Sequence, residues 1–166
     1  MGSRILSVND WESYGFLLHI AAGDSIWNGV SGMLKKAGIE FAQLEFMPGM
    51  LDVSIFHTAP PEASGKTLVK YGEGINIGRA LLFSANAVYG LGLHGQPLLH
   101  CHGSFLDAES GLCGGHVNVQ ECRVGRGGLS AQVTATPNIG FAVDLDLTSN
   151  MQVFHPVSYP GGRHGS

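Results

Sequence analysis

Residues 97–124 constrain the fold more than any other part of this chain. Pro97-Leu98-Leu99-His100-Cys101-His102-Gly103 runs toward Asp107-Ala108-Glu109-Ser110-Gly111, and Leu112 to Val124 follows. Two apolar arms around a short polar, glycine-ended segment predict a β-hairpin, with strands over Leu98–Leu106 and Leu112–Val124. A turn over 107–111 pairs Leu106 with Leu112. Stepping back along both arms then sets His102 opposite His116. Residues i and i+2 of a strand share a face, so His100 and His102 point one way and Cys101 the other. Directly opposed residues share a face as well, with Cβ atoms about 4.5–5.5 Å apart. Three imidazoles, from His100, His102 and His116, therefore converge on one patch. In the same register Asn118 faces His100, Cys122 lies further along that face, and Glu121 points away.

Three neutral imidazoles form a competent site for a divalent metal. Zinc takes nitrogen ligands at about 2.0–2.1 Å, and three histidines with an open position are a known catalytic arrangement. Copper, nickel and iron accept imidazole too. No carboxylate falls on this face of the hairpin, so a site of two histidines and one carboxylate needs a ligand from elsewhere. A slip of one residue at Gly114-Gly115 turns His116 away, and the histidines then serve only packing. Of the other histidines, His19, His57, His94 and His155 are scattered; His57 lies in a predicted strand and can join a site through the fold.

The rest of the chain reads as α+β. Gly15 to Ala21 is a short apolar strand. Asp24 or Ser25 then caps a helix, with Ile26, Val30, Met33, Leu34 and Ala37 at helical spacing, Lys35 and Lys36 in its last turn and Gly38 ending it. Phe41–Phe46, Leu51–Thr58, Leu129–Thr136 and Phe141–Leu147 read as strands, and Lys66–Tyr71 as a weaker one. Ala80–Tyr89 fits either helix or strand. Several strands, one good helix and no βαβ rhythm give a largely antiparallel sheet.

With 166 residues the chain has the length of one domain. An N-terminal segment, 1–14, precedes a domain over 15–156. The small, polar, glycine-rich stretch 157–166 reads as a mobile tail. The start Met1-Gly2-Ser3-Arg4 lacks a signal peptide's apolar region. The three cysteines cluster in one short segment and form no secreted disulfide framework. A reduced, cytoplasmic protein is the expectation. No apolar run is long enough to span a membrane.

Nine Lys and Arg against 13 Asp and Glu leave a net charge of −4, which argues against a broad basic face for nucleic acid. Gly90-Leu91-Gly92-Leu93-His94-Gly95 is a literal G-x-G-x-x-G, but Pro97 and a strand follow it where a dinucleotide site needs a helix. Arg123 and Arg126 among Gly125, Gly127 and Gly128 read as a solvated hairpin tip. Glu45 and Asp52 read as surface groups. A cupin-like barrel fits His-x-His, but the glutamate expected a few residues later is missing.

In order, the opening strand, the helix ending at Lys36-Ala37-Gly38-Ile39, the segment Gly49-Met-Leu-Asp-Val-Ser-Ile55, and His100-Cys101-His102 followed by Asp107, Gly111 and Gly114-Gly115-His116 resemble the PPC (plants and prokaryotes conserved) domain. The resemblance runs from about Phe16 to His155. That domain occurs alone in bacteria and archaea, and joined to AT-hooks in plant nuclear proteins. The resemblance implies a compact α+β homotrimer and, from some prokaryotic members, a divalent-metal site, usually taken as zinc, on His100, His102 and His116. It suggests a stand-alone regulatory or scaffolding module holding a metal or a small ligand. The alternatives are a DNA-binding or transcription-associated protein and a metal-dependent enzyme. This chain has no Arg-Gly-Arg-Pro core, which argues against direct DNA contact. It also carries Cys113 where an aromatic is common before Gly-Gly-His, a change expected to alter the site's lining.

Overall fold

The computed structural model describes residues 10–158, so the expected tail from 159 onward and residues 1–9 of the N-terminal segment lie outside the described residues. The elements are β1 (Tyr14–Ile20), α1 (Ile26–Lys36), β2 (Ala42–Phe46), β3 (Gly49–His57), β4 (Gly74–Leu91), β5 (Pro97–Asp107), β6 (Gly111–Val117), β7 (Arg123–Val124), β8 (Leu129–Ala135), β9 (Ile139–Asp146) and β10 (Met151–Ser158). This is the expected α+β arrangement: one helix and a sheet in which nearly every pairing is antiparallel, the exception being a single parallel bridge between Leu91 of β4 and Ala142 of β9. None of the described helical segments is long and apolar enough to cross a membrane.

The helix begins where the capping pattern predicts. Ser25 Oγ accepts a hydrogen bond from the Asn28 N–H at 3.0 Å. Ile26, Val30 and Leu34 are fully buried, a stripe at spacing four that lies over the inner face of the sheet with Leu18 and Ile20 of β1. Met33, expected on that stripe, is half exposed, because the buried stripe is narrow and Met33 lies on its flank.

The sheet runs β1-β8-β2-β4-β5-β6-β3-β7. Strand β4 also pairs with β3 through its first half, so β4, β5, β6 and β3 close a ring. Phe56 and Phe105 stack within it, ring centroids 5.5 Å apart.

The ambiguous stretch Ala80–Tyr89 is part of the 18-residue strand β4. Its buried positions are 80 and 82, then 85, 87 and 89. The odd step falls at a bulge against β5 between Leu82 and Ser84, which leaves Phe83 exposed. That phase break is why neither period fits the sequence cleanly.

Three other expectations are corrected. Lys66–Tyr71 is no strand; it belongs to the segment between β3 and β4, with one isolated bridge, Val69 to Pro61. Leu112–Val124 is not continuous: β6 ends at Val117, because the carbonyl of Asn118 accepts the N–H groups of Glu121 and Cys122 and turns the chain into β7. A strand not expected from sequence, β10, pairs with β9 and runs through Val157 and Ser158, residues assigned above to the tail. Pro156 obscures it. Proline donates nothing to a ladder and is tolerated on an edge strand, and β9 is the single recorded partner of β10.

Candidate metal centre

Hairpin β5–β6 has the register read from the sequence: Leu106 opposite Leu112, and His102 opposite His116. The tight turn is held by Asp107, whose carboxylate accepts from the Ser110 N–H, the Ser110 hydroxyl and the Glu109 N–H. Those bonds, led by Ser110, hold its carboxyl below the usual range. Gly111, at φ +71°, completes the turn in a conformation that favours glycine.

Glycine is needed again beside the third histidine. A Cβ on Gly114 would sit 2.3 Å from the Gly103 carbonyl oxygen, and one on Gly115 would sit 2.3 Å from the His57 carbonyl oxygen. The Gly114-Gly115 pair therefore lets β6 lie tightly between β5 and β3, and His116 follows directly. No slip occurs there.

The three imidazoles converge as expected. Their ligand atoms lie within 4.8 Å of one another, and among the described residues they are the one group of His, Cys, Asp or Glu side chains gathered closely enough to hold a metal. Ring centroids are 4.8 Å apart for His100 and His102, 4.6 Å for His100 and His116, and 5.5 Å for His102 and His116. A tetrahedral centre with nitrogen ligands at about 2.0–2.1 Å sets ring centres about 5.2 Å apart, inside that range. His100 Nε2 and His102 Nε2 stand 2.9 Å apart, and His116 Nδ1 is buried with no hydrogen-bond partner. A buried, unpartnered ring nitrogen is costly, and a metal in this cluster would give it a purpose. The donor set thus fits a divalent ion such as zinc.

The electrostatics keep the rings ready to coordinate. Burial, reinforced by the nearby His116 and His102, lowers His100 to about 4. Burial also lowers His116, with His102 and His57 adding to it. Near neutral pH both rings are uncharged, the form that binds a metal. His102 is exposed while His100 and His116 are half-buried, so the cluster is open on the His102 side. Phe154 of β10 meets His100 edge-on at 6.2 Å, and Tyr71 meets His116 edge-on at 5.5 Å.

The ladder places a fourth histidine nearby. Across the strands the row reads Asn86, His102, His116, His57 and Gly74. The His57 ring centre is 6.3 Å from that of His116, outside the gathered three. The pairing of β3 with β6 that brings it here has no short-range signal in the sequence.

Other residues weighed for this face are elsewhere. Asn118 does not face His100: its N–H donates to the Ile55 carbonyl and its side-chain amide donates to Glu121. The Cys122 thiol is buried against the Ile55 backbone. Cys113 opposes Phe105 and packs on the core side, so it does not line the cluster. Cys101 is buried behind the histidines, its thiol pushed up to about 12 by burial. His19 pairs with Ser130. His94 lies in the turn between β4 and β5, which is what becomes of the G-x-G-x-x-G stretch.

No protein-family description matches the chain by sequence, and no curated protein matches it. Solved structures do share its fold. A metal-containing protein from Archaeoglobus fulgidus superposes with a TM-score of 0.69 at 15% identity, over 93% of this chain and 99% of that one. A plant- and prokaryote-conserved (PPC) protein from Pyrococcus horikoshii gives 0.68 at 19% identity, over 96% and 100%. A candidate DNA-binding protein from Ralstonia eutropha JMP134 gives 0.64 at 16%, over 83% and 88%. At these identities the likeness is one of fold, and the fold is the one the hairpin motif suggested.

Proposed function

We propose that this chain, a PPC-type fold, is a metal-binding regulatory or scaffolding module whose divalent ion, zinc by its donor set, sits on His100, His102 and His116. The observation that carries the reading is the gathering of three imidazoles whose ligand atoms lie within 4.8 Å of one another, with His116 Nδ1 buried and unpartnered. The metal-containing protein of the same fold supports it. Three protein ligands leave a fourth position for water or a small ligand, on the side where His102 is exposed. A divalent ion there would supply Lewis acidity, which keeps a metal-dependent enzyme as the second reading.

The module acts as a homotrimer. A low charged fraction, 13%, and exposed apolar side chains such as Phe83, Leu106 and Leu112 support burial of surface between copies. A net charge of −4 sets it apart from proteins that grip DNA by electrostatics. Any part in transcription then runs through other partners.

The test is elemental analysis of protein purified without chelators or added metal, beside a His102→Ala variant. About one divalent ion per chain, lost in the variant, bears the reading out. Metal-free protein from both preparations, still folded, refutes it.

A further inference from the structure

The three histidines have different surroundings. His100 meets Phe154 edge-on and His116 meets Tyr71 edge-on, whereas His102 is exposed. His102 borders a hollow of about 210 Å³, which Ser84, Asn86 and Ser104 also line. A second hollow of about 330 Å³ continues from Ser84 and Asn86 to Gln43, Glu45, Gln132 and Thr134. The ladders explain this continuity. Asn86 stands opposite His102, Glu45 opposite Asn86, and Gln132 opposite Glu45. Directly opposed residues share a face, so one row runs from the cluster across β5, β4, β2 and β8. All four of these side chains are exposed, while Cys101, Ala85, Ala87, Leu44 and Val133 beside them are buried on the opposite face. The two hollows form one polar trough that starts at a histidine of the cluster.

The composition of the trough selects what it can hold. Amides and hydroxyls offer donors and acceptors along its length. Glu45 is the one carboxylate, and no lysine or arginine lines either hollow. A phosphate or carboxylate lying there meets a like charge and no cation, whereas an ammonium group meets its opposite. Neighbouring strands are about 4.8 Å apart, so Glu45, two strands from His102, stands about 10 Å away. The second hollow alone reaches the size of a small-ligand pocket, about 300–1,000 Å³.

We propose that this trough is the ligand site of the metal centre, taking a small molecule that binds the ion through one end and places a cationic, hydrogen-bonding group about 10 Å away against Glu45. The inference rests on the metal reading above and gives that site a substrate class.

Cobalt(II) serves as the probe metal, read by its visible absorption. The test ligands are three hydroxamates with the same chain of five methylene groups, ended in ammonium, methyl or carboxylate. The ammonium-ended compound should bind wild type about fivefold more tightly than the carboxylate-ended one, with the methyl-ended one between them. Glu45→Gln removes most of that difference and Glu45→Lys reverses it, with cobalt content unchanged in both. Glu109→Lys, the same charge change on the β5–β6 turn outside the trough, leaves the preference in place. Equal binding of the three compounds, a preference that ignores Glu45, or one that Glu109→Lys alters as much overturns the inference and leaves the metal reading intact. So does a cobalt spectrum that none of the three compounds changes. A wild-type protein that takes up no cobalt overturns the metal reading itself, and the inference with it.

Discussion

Acid should destabilise the metal-free protein through His100 in particular. The ring has an ordinary value of 6.5 and stands at about 4 in the folded chain, mainly because burial disfavours its charged form, with His116 and His102 adding repulsion. A folded-state value below the unfolded one means that the unfolded chain binds the extra proton. The neutral ring costs nothing above about pH 6.5. Below that, stability is lost progressively until the pH reaches the folded value near 4. The full difference corresponds to a ceiling of about 3.4 kcal/mol. Solvent reaches part of this ring and screens the charge, so about 1–2 kcal/mol is the expected loss. The measurement is urea denaturation in the presence of a chelator at pH 7.5 and pH 4.5, on wild type and on His100→Phe. Carboxylates titrate alike in both proteins, so the difference between their acid losses isolates the imidazole. Wild type should lose about 1–2 kcal/mol more than the variant, and identical losses would refute the claim that this ring is held neutral by burial.

Four further outcomes are expected. Asn118→Ala leaves metal content at the wild-type level, because Asn118 turns away from the histidines; a metal-free variant would put it back at the site. Phe105→Ala removes a fully buried ring stacked on Phe56 and costs about 3–5 kcal/mol in chemical denaturation. Gly115→Ala drives a Cβ to 2.3 Å from the His57 carbonyl oxygen, a backbone atom that cannot swing aside; a loss of about 1–3 kcal/mol is expected, and wild-type stability would deny the close approach of β6 and β3. Light scattering on the purified chain should return three times the chain mass, and a monomer at micromolar concentration would refute the trimer.

The parts of this protein legible in its sequence are those specified by near neighbours. Ser25, the apolar stripe and Gly38 mark the helix within one short span. The turn at Asp107–Gly111 fixes the β5–β6 register, and the register fixes three of the four histidines on the patch. What escaped depends on distant partners or on exceptions to period. His57 joins the row only because β3 pairs with β6 across about sixty residues of chain. The bulge beside Phe83 breaks the alternation of β4, and Pro156 disguises β10. Asn118 looks like a continuing strand residue until its carbonyl takes the N–H groups of Glu121 and Cys122.

The position of the histidines in the sheet carries a physical consequence. They sit where the β4-β5-β6-β3 ring closes, and Gly114-Gly115 is the contact that permits closure. Strands this close bring His102, His116 and His57 into one row, and burial by the same packing keeps His116 of that row, and His100 two residues along β5, uncharged near neutral pH. In the metal-free fold His100 and His102 share a hydrogen bond between their Nε2 atoms, and the buried His116 Nδ1, without a partner, is a cost. A divalent ion bound by these nitrogens turns that cost into binding energy, and binding to the folded state alone raises stability by mass action. The stabilisation should be concentrated in β5 and β6, which hold all three ligands, and should reach β3 through the ladder pairs His57–His116 and Phe56–Val117. Strands β9 and β10 hold none of the ligands; they pair with the rest of the sheet through the single bridge from Leu91 to Ala142 and meet the centre through the edge-on contact of Phe154 with His100. Amide exchange with and without metal should therefore slow in the ring before it slows in the β9–β10 hairpin, and equal slowing across the whole chain would mean that the ion acts on folding as a unit rather than through this closure.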